Sequence, residues 1–587
     1  MNVRCLRRGF VGTLLGFASL SASAAWPPVL DAGTLTPTER IAATALIERT
    51  GEHLPAAMAD HLPALTLSFS DALPDAVHGR IRGRRIRLAR DLLHDGDDAP
   101  AIAALLHELA HALDRRAGLS RDPRLLDLAG WQVKPRRFGL RNSRSRLRDR
   151  SPDIYELASP REFVAVNVEH FLRDADYACR RPALHRFLAE RIGMPRHANA
   201  PQCAPGFSFV VPASDPSLET LDPARVHAIE YLLAEPTDAP MSRWGHSMLR
   251  LVICAPGRVP GPDCRFDLEH HRVLSFRAFV DDVQTSGWRG LTGRYPSRLF
   301  VLPLTQVIEE YTAIELRGLR SVPLRLSDEE KASLIERAAQ LHWSYDGRYT
   351  FLGNNCASET FKLLHDGVPR LAGEPIGAIA PTALLRRLER AGIADAAPLA
   401  SEDAVRLGYY FPSADSHYAD LFAIARAALA LPARDARAWL DLAPEQRAPW
   451  VEAGDLRASA ALLVLEEAAL RRAHLRARDA IKRRLLQRDN HARASRVLLD
   501  EHLALEASLI RPAALLADTP GYGLPQADER ALLAVRGNRL SADWRTRGER
   551  FREHTLEVLS PALHRLLADT TDNLDRISAH LRRMSSD

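Results

Sequence analysis

A chain of 587 residues is too long for a single hydrophobic core, so several domains are expected. Its 46% hydrophobic and 26% charged content excludes a disordered or low-complexity architecture. The formal net charge of +5 points to acidic surfaces as partners.

The chain opens with Arg4, Arg7 and Arg8, the apolar stretch Phe10 to Leu20, and the small-residue run Ala22-Ser23-Ala24. This is the pattern of a secretory signal peptide over residues 1–24, cleaved near Ala24/Ala25, and it predicts a periplasmic protein. Arg7-Arg8-Gly9-Phe10-Val11 is also similar to a twin-arginine signal. An exported chain meets no nucleic acid, so envelope lipid, lipoprotein or peptide is the expected substrate. No later stretch is long and apolar enough to span a bilayer.

Residues 25–205 are expected to form the first folded domain. His107-Glu108-Leu109-Ala110-His111 continues the apolar run Ile102 to Leu106, so it belongs to a helix. Histidines at i and i+4 share one helix face, as two zinc ligands must, and Glu108 between them can serve as a general base. Downstream, Ser159-Pro160-Arg161-Glu162-Phe163-Val164-Ala165 opens a second helix with a further carboxylate, and Tyr155 lies seven residues before Glu162. The pair of motifs resembles gluzincin-type metallopeptidases, specifically the Mlc titration factor peptidase and the anthrax lethal-factor catalytic domain. The resemblance implies a zincin-like α+β domain holding Zn2+ on His107, His111 and Glu162, with Glu108 and Tyr155 catalytic. It also makes the segment Ile81 to Leu93, with Arg84 to Leu88, the expected edge strand for an extended substrate. A basic run from Lys134 to Arg150 is expected as a loop beside the cleft.

Residues 206–400 form the second expected domain, preceded by the proline-rich stretch Pro201 to Pro223, which reads as a linker. Cys5 leaves with the signal peptide. Cys254 and Cys264 flank a Pro/Gly-rich connection suited to a hairpin closed by a disulfide, and Cys179 with Cys203 is the expected second bridge. That leaves Cys356 as a free thiol. Gly353-Asn354-Asn355-Cys356 follows the strand or turn Tyr349 to Leu352 and opens the helical pattern Ala357 to Leu364, where partial positive charge favours a thiolate nucleophile. The candidate base is His246 in Trp244-Gly245-His246-Ser247, at the start of an alternating strand pattern. His270 and His271 are the candidates for a third, orienting residue, of which adjacency on a strand allows one at most.

The stretch from about Ala228 to Leu364 resembles the periplasmic N-terminal domain of Lnb-type lipoprotein N-acyltransferases, and also the permuted NlpC-type and lecithin-retinol-acyltransferase-like papain folds. The resemblance implies a cysteine acyltransferase or hydrolase in which His246 deprotonates Cys356 and the thiolate forms an acyl-enzyme.

Residues 415–587 are rich in Ala, Leu and Arg and predict a C-terminal all-α helical domain. Ten Lys/Arg between Arg471 and Arg496 form a basic helix face, either the solvated side of a bundle or a peripheral contact with anionic membrane.

The predicted fold class is therefore multidomain α+β, with a zincin-like domain, a permuted papain-like domain and a helical domain. Three functions compete: a cell-envelope cysteine acyl-transfer enzyme fused to a zinc-binding domain; a zinc metallopeptidase whose Cys-His domain recognises substrate; and a non-catalytic envelope scaffold.

Overall fold

The computed structural model describes residues 26–74, 77–94, 96–131, 145–197, 202–212, 214–237, 243–279, 294–351, 353–486, 492–557 and 559–586. The expected signal peptide and most of the basic run from Lys134 lie outside them. The chain is a multidomain α+β protein dividing into two compact units.

The first unit takes in residues up to Arg121 together with Arg161–Ala175 and Phe187–Ala200. Strands β1 (Val29–Leu30), β2 (Thr66–Ser70), β3 (Gly79–Arg82) and β4 (Arg85–Ala89) form a sheet in the order β1-β2-β4-β3. The first two pairings are parallel and the β3-β4 hairpin is antiparallel. Helix α1 (Pro37–His53) starts at Thr36, whose hydroxyl and Glu39 make a reciprocal capping box, a cap worth about 1 kcal/mol. Helix α2 (Ala99–Ala117) buries Leu105, Leu106 and Leu109, and stops at Gly118, whose φ of 70° lets its N–H bond the Asp114 carbonyl. Helix α3 (Pro160–Arg173) buries Phe163, Val164 and Val166. Each such Leu, Val or Phe contributes roughly 1.5–3 kcal/mol by leaving water, which makes these two helices the rigid base of this unit.

The second unit comprises Asp122–Pro160, Asp176–Arg186 and the chain from Pro201. The proline-rich stretch expected to be a linker instead folds into a hairpin, β5 (Phe207–Val210) with β6 (Leu218–Leu221), because its apolar residues alternate between the prolines. Beyond it stand β7 (Val226–Ala234), β8 (His246–Ile253), β9 (Arg272–Ala278), β10 (Tyr295–Pro303), β11 (Leu319–Pro323), β12 (Gly347–Tyr349) and β13 (Tyr410–Phe411). They make a seven-stranded antiparallel sheet ordered β12-β10-β9-β8-β7-β11-β13.

Period-two alternation gives this sheet two apolar faces. Leu249, Leu274, Phe276 and Leu299 pack with helices α4 (Asp328–Ser344) and α5 (Cys356–Gly367). Leu232, Met248, Val273 and Leu302 pack with Tyr311 on the other side. Both expected disulfides are present, Cys179 with Cys203 and Cys254 with Cys264, and Cys356 is the free cysteine.

The C-terminal region is helical, with α6 (Ala414–Ala428), α7 (Leu456–Leu486), α8 (Ala492–Ile510), α9 (Ala527–Glu557) and α10 (Pro561–Ser586). Tyr418, Phe422, Trp439, Leu462, Leu465 and Ile577 build a core of their own there, to which α7 contributes from its first half. Among the described residues no helix is long and apolar enough to cross a membrane.

Candidate functional site

In the first unit, one helical turn separates His107 from His111, and the first turn of α3 presents Glu162 to both. Glu162 Oε2 lies 3.4 Å from His107 Nε2 and 3.2 Å from His111 Nε2, and one donor atom from each of the three residues falls within 4.8 Å of the others. Ligands about 2.0–2.1 Å from a common tetrahedral zinc stand roughly 3.3 Å apart, so this donor set fits that ion in spacing and chemistry. The carboxylate of Glu169, two turns along α3, stands 3.6 Å from His107 Nδ1, on the ring edge away from Glu162. A carboxylate there fixes the imidazole's orientation, as outer partners of metal-binding histidines do.

Charge is concentrated at this point. Burial presses the His107 pKa down, but the Glu162 and Glu169 carboxylates outweigh it and hold it at about 9. Burial pushes Glu162 up, but the His107 and His111 imidazoles facing its carboxylate hold it at about 2. Glu108, buried on the same helix, is raised by desolvation, and its carboxylate stands against the next strand, where a Cβ on Gly79 would meet its Oε1 at 3.1 Å. The strand beside it is β3, the free edge of the sheet. The expected edge segment Ile81 to Leu93 is corrected here: only Ile81 and Arg82 belong to the edge strand, while Arg85 to Leu88 lie in β4 inside the sheet, paired on both sides, because the chain turns back at Gly83 and Arg84. Tyr155 belongs to the second unit, in the single turn Ile154–Leu157, with 53% of its surface exposed.

In the second unit, Cys356 and His246 open α5 and β8. Asn355 caps α5 through Ser358 and donates to the Phe351 and Ile379 carbonyls at 3.1 and 3.0 Å. Asn354 donates to the Arg348 carbonyl at 2.7 Å. The two asparagines therefore tie the loop that aims the thiol. Cys356 is 5% exposed, and its N–H donates to the Tyr349 hydroxyl at 3.2 Å. Burial and the adjoining Cys356 push the Tyr349 phenol well above its ordinary pKa.

Gly245 sits at φ 80°, and a Cβ there would meet the Ala234 carbonyl at 2.6 Å, which explains the glycine before His246. The half-buried His246 ring stacks on Tyr311 with centroids 6.0 Å apart, and its Nε2 lies 3.0 Å from Ser275 Oγ. Burial, then Arg277 and Arg317, pull its pKa down to about 3, so the imidazole is neutral. Strand alternation sends Ser247, not His246, towards α5, where it meets Thr360 at 3.4 Å. The structure brings the two residues to neighbouring element starts but forms no hydrogen bond between them. Neither His270 nor His271 orients His246: His271 is buried against Arg250 and the Cys264 carbonyl, and His270 ends a short turn. Sequence reasoning missed Ser275, Tyr311 and Tyr349. The serine on the strand two positions from Arg277 carried no motif that singled it out.

A further cluster, Asp127, His365 and Asp366, also brings ligand atoms within 4.8 Å. Arg337 donates to Asp366 at 2.9 Å and to the Asp127 and Leu128 carbonyls, so a cation already occupies this position and the cluster is a buried ion-pair network.

Residues 213–391 match the family model described as the Lnb N-terminal periplasmic domain, a span that includes His246 and Cys356. Residues 103–200, which include His107, His111 and Glu162, match a domain of unknown function (DUF7844). No curated protein and no solved structure matches the chain. The periplasmic domain match and the two disulfides make this a cell-envelope protein.

Proposed function

We propose that the first unit is a zinc-dependent peptidase of the cell envelope. The observation that carries this reading is the convergence of His107, His111 and Glu162, with separations of 3.2 and 3.4 Å to the shared carboxylate oxygen. When bound, zinc supplies a Lewis acid that polarises the scissile carbonyl and eases deprotonation of water. Glu108 takes the proton of the attacking water and returns it to the departing amine as the C–N bond breaks, a role suited to a carboxylate raised by burial. An extended chain running along the free edge of β3 would lie beside Glu108, since Gly79 of that strand packs against its side chain. The gluzincin resemblance supports the same assignment. The test is metal content together with cleavage of unfolded envelope proteins by wild type and Glu108→Gln. Zinc retained with cleavage lost supports the proposal, and equal cleavage by both proteins overturns it.

A second reading is thiol acyl transfer in the second unit. It is favoured by the free cysteine at the start of α5 within the span matching the Lnb domain. Cys356 would attack an ester carbonyl, expel the alcohol and hold the acyl group as a thioester until an amine or water accepts it. Intact mass after incubation with envelope lipids tests it: an acyl adduct absent from Cys356→Ala supports the reading, and no adduct in wild type counts against it.

A further inference from the structure

A pocket of about 580 Å³ opens beside the edge strand of the seven-stranded sheet, within the second unit and outside both sites above. Four arginines line it, Arg146, Arg148, Arg294 and Arg348, with Asp346 as its one carboxylate. That carboxylate is already engaged, 3.2 Å from both terminal nitrogens of Arg298. Among the described residues, no carboxylate lies within ion-pair distance of any of the four lining guanidiniums.

The walls are built from paired backbone. Arg348 stands opposite Pro296 in the β10-β12 ladder. The segment carrying Arg146 and Arg148 is bound to the chain before β12 by the Leu147-Tyr345 bridge and by the Asp346 N–H on the Arg146 carbonyl at 2.7 Å. Like charges held this close repel, at a cost to folding that an anionic ligand would offset. Guanidinium forks match phosphate oxygens two at a time, and the volume is that of a site for a small organic ligand, far larger than one phosphate needs.

We propose that this pocket binds a ligand carrying two or more phosphate charges, presented either by a soluble phosphorylated compound or by lipid headgroups.

The experiment titrates the whole protein with inorganic pyrophosphate, with citrate as a carboxylate probe of similar charge, and with vesicles of phosphatidylglycerol or phosphatidylcholine. Arg148→Gln/Arg348→Gln is compared with Arg406→Gln/Arg434→Gln, which removes the same charge from exposed sites elsewhere. Saturable pyrophosphate binding weakened about tenfold or more by the pocket pair alone supports a soluble source. Binding to phosphatidylglycerol vesicles with the same dependence, and not to phosphatidylcholine, supports the headgroup source. Absence of binding to both probes, equal affinity for citrate, or equal weakening by the control pair overturns the proposal.

Discussion

Ser275 Oγ lies 3.0 Å from His246 Nε2 while accepting a hydrogen bond from Arg277 Nε at 3.1 Å. The hydroxyl proton is therefore left to point at the imidazole, which accepts it in its neutral form. Arg277 is itself held by Glu310 at 3.0 Å, so the chain Glu310-Arg277-Ser275 orients the ring. In this conformation Nε2 is engaged by the serine hydroxyl and not by the thiol.

It follows that His246→Ala should change iodoacetamide labelling of native Cys356 at pH 7 by no more than about twofold, because the imidazole is hydrogen-bonded to Ser275 and forms no hydrogen bond with the thiol. Mass spectrometry of timed samples measures this. A loss of tenfold or more would show that the imidazole reaches the thiol in solution and would restore the Cys-His pair as a catalytic unit.

The metal set predicts about one zinc per chain, lost in His111→Ala, since two remaining ligands hold zinc poorly. Plasma emission analysis of both proteins after dialysis checks it. Glu169→Gln should retain zinc with affinity lowered about 10- to 100-fold, the effect expected of a carboxylate that positions a ligand.

Glu108→Gln should bind zinc as wild type does and lose about 10²- to 10⁴-fold in kcat, the contribution of a general base. Steady-state cleavage of a fluorogenic peptide series reads it. A drop confined to KM would assign Glu108 to substrate binding instead.

His342 is buried, its Nε2 accepts the Val210 N–H at 2.9 Å, and burial pulls its pKa down to about 4. In the unfolded chain this ring takes a proton near pH 6.5, whereas the folded one stays neutral until about 4. Stability should therefore rise with pH between these values, by about 1.4 kcal/mol per unit from this group, and level off above them. Urea melts of wild type and His342→Gln across this range should differ in slope by that amount.

Glu156 is fully buried and receives both Arg181 guanidinium nitrogens, at 2.7 and 2.8 Å. Glu156→Ala leaves that cation buried without its carboxylate and should lower stability by about 3–5 kcal/mol in chemical denaturation.

The helix bearing His107 and His111, the helix opened by Glu162, the strand starting at His246 and the helix starting at Cys356 were all readable from the residues alone. Helical and strand periodicity, caps and turn residues act over a few positions, so they survive without knowledge of the fold. The glycine before His246, which meets the Ala234 carbonyl, belongs to the same class. The disulfide pairing was readable as well, because ten residues with a Pro/Gly turn leave Cys254 close to Cys264.

What only the tertiary structure decided depends on which strands lie side by side. Ser275 meets His246 through the pairing of β8 with β9, and β3 rather than β4 is the open edge through a ladder order no local pattern encodes. The face on which His246 falls follows from a register that the whole sheet sets, since a shift by one residue would turn it towards α5. Four arginines spread over two hundred residues of sequence likewise become one pocket when β10, β12 and the segment before Asp149 pair. Sequence composition determines how many charges the chain carries, and long-range backbone pairing determines which of them must share a cavity.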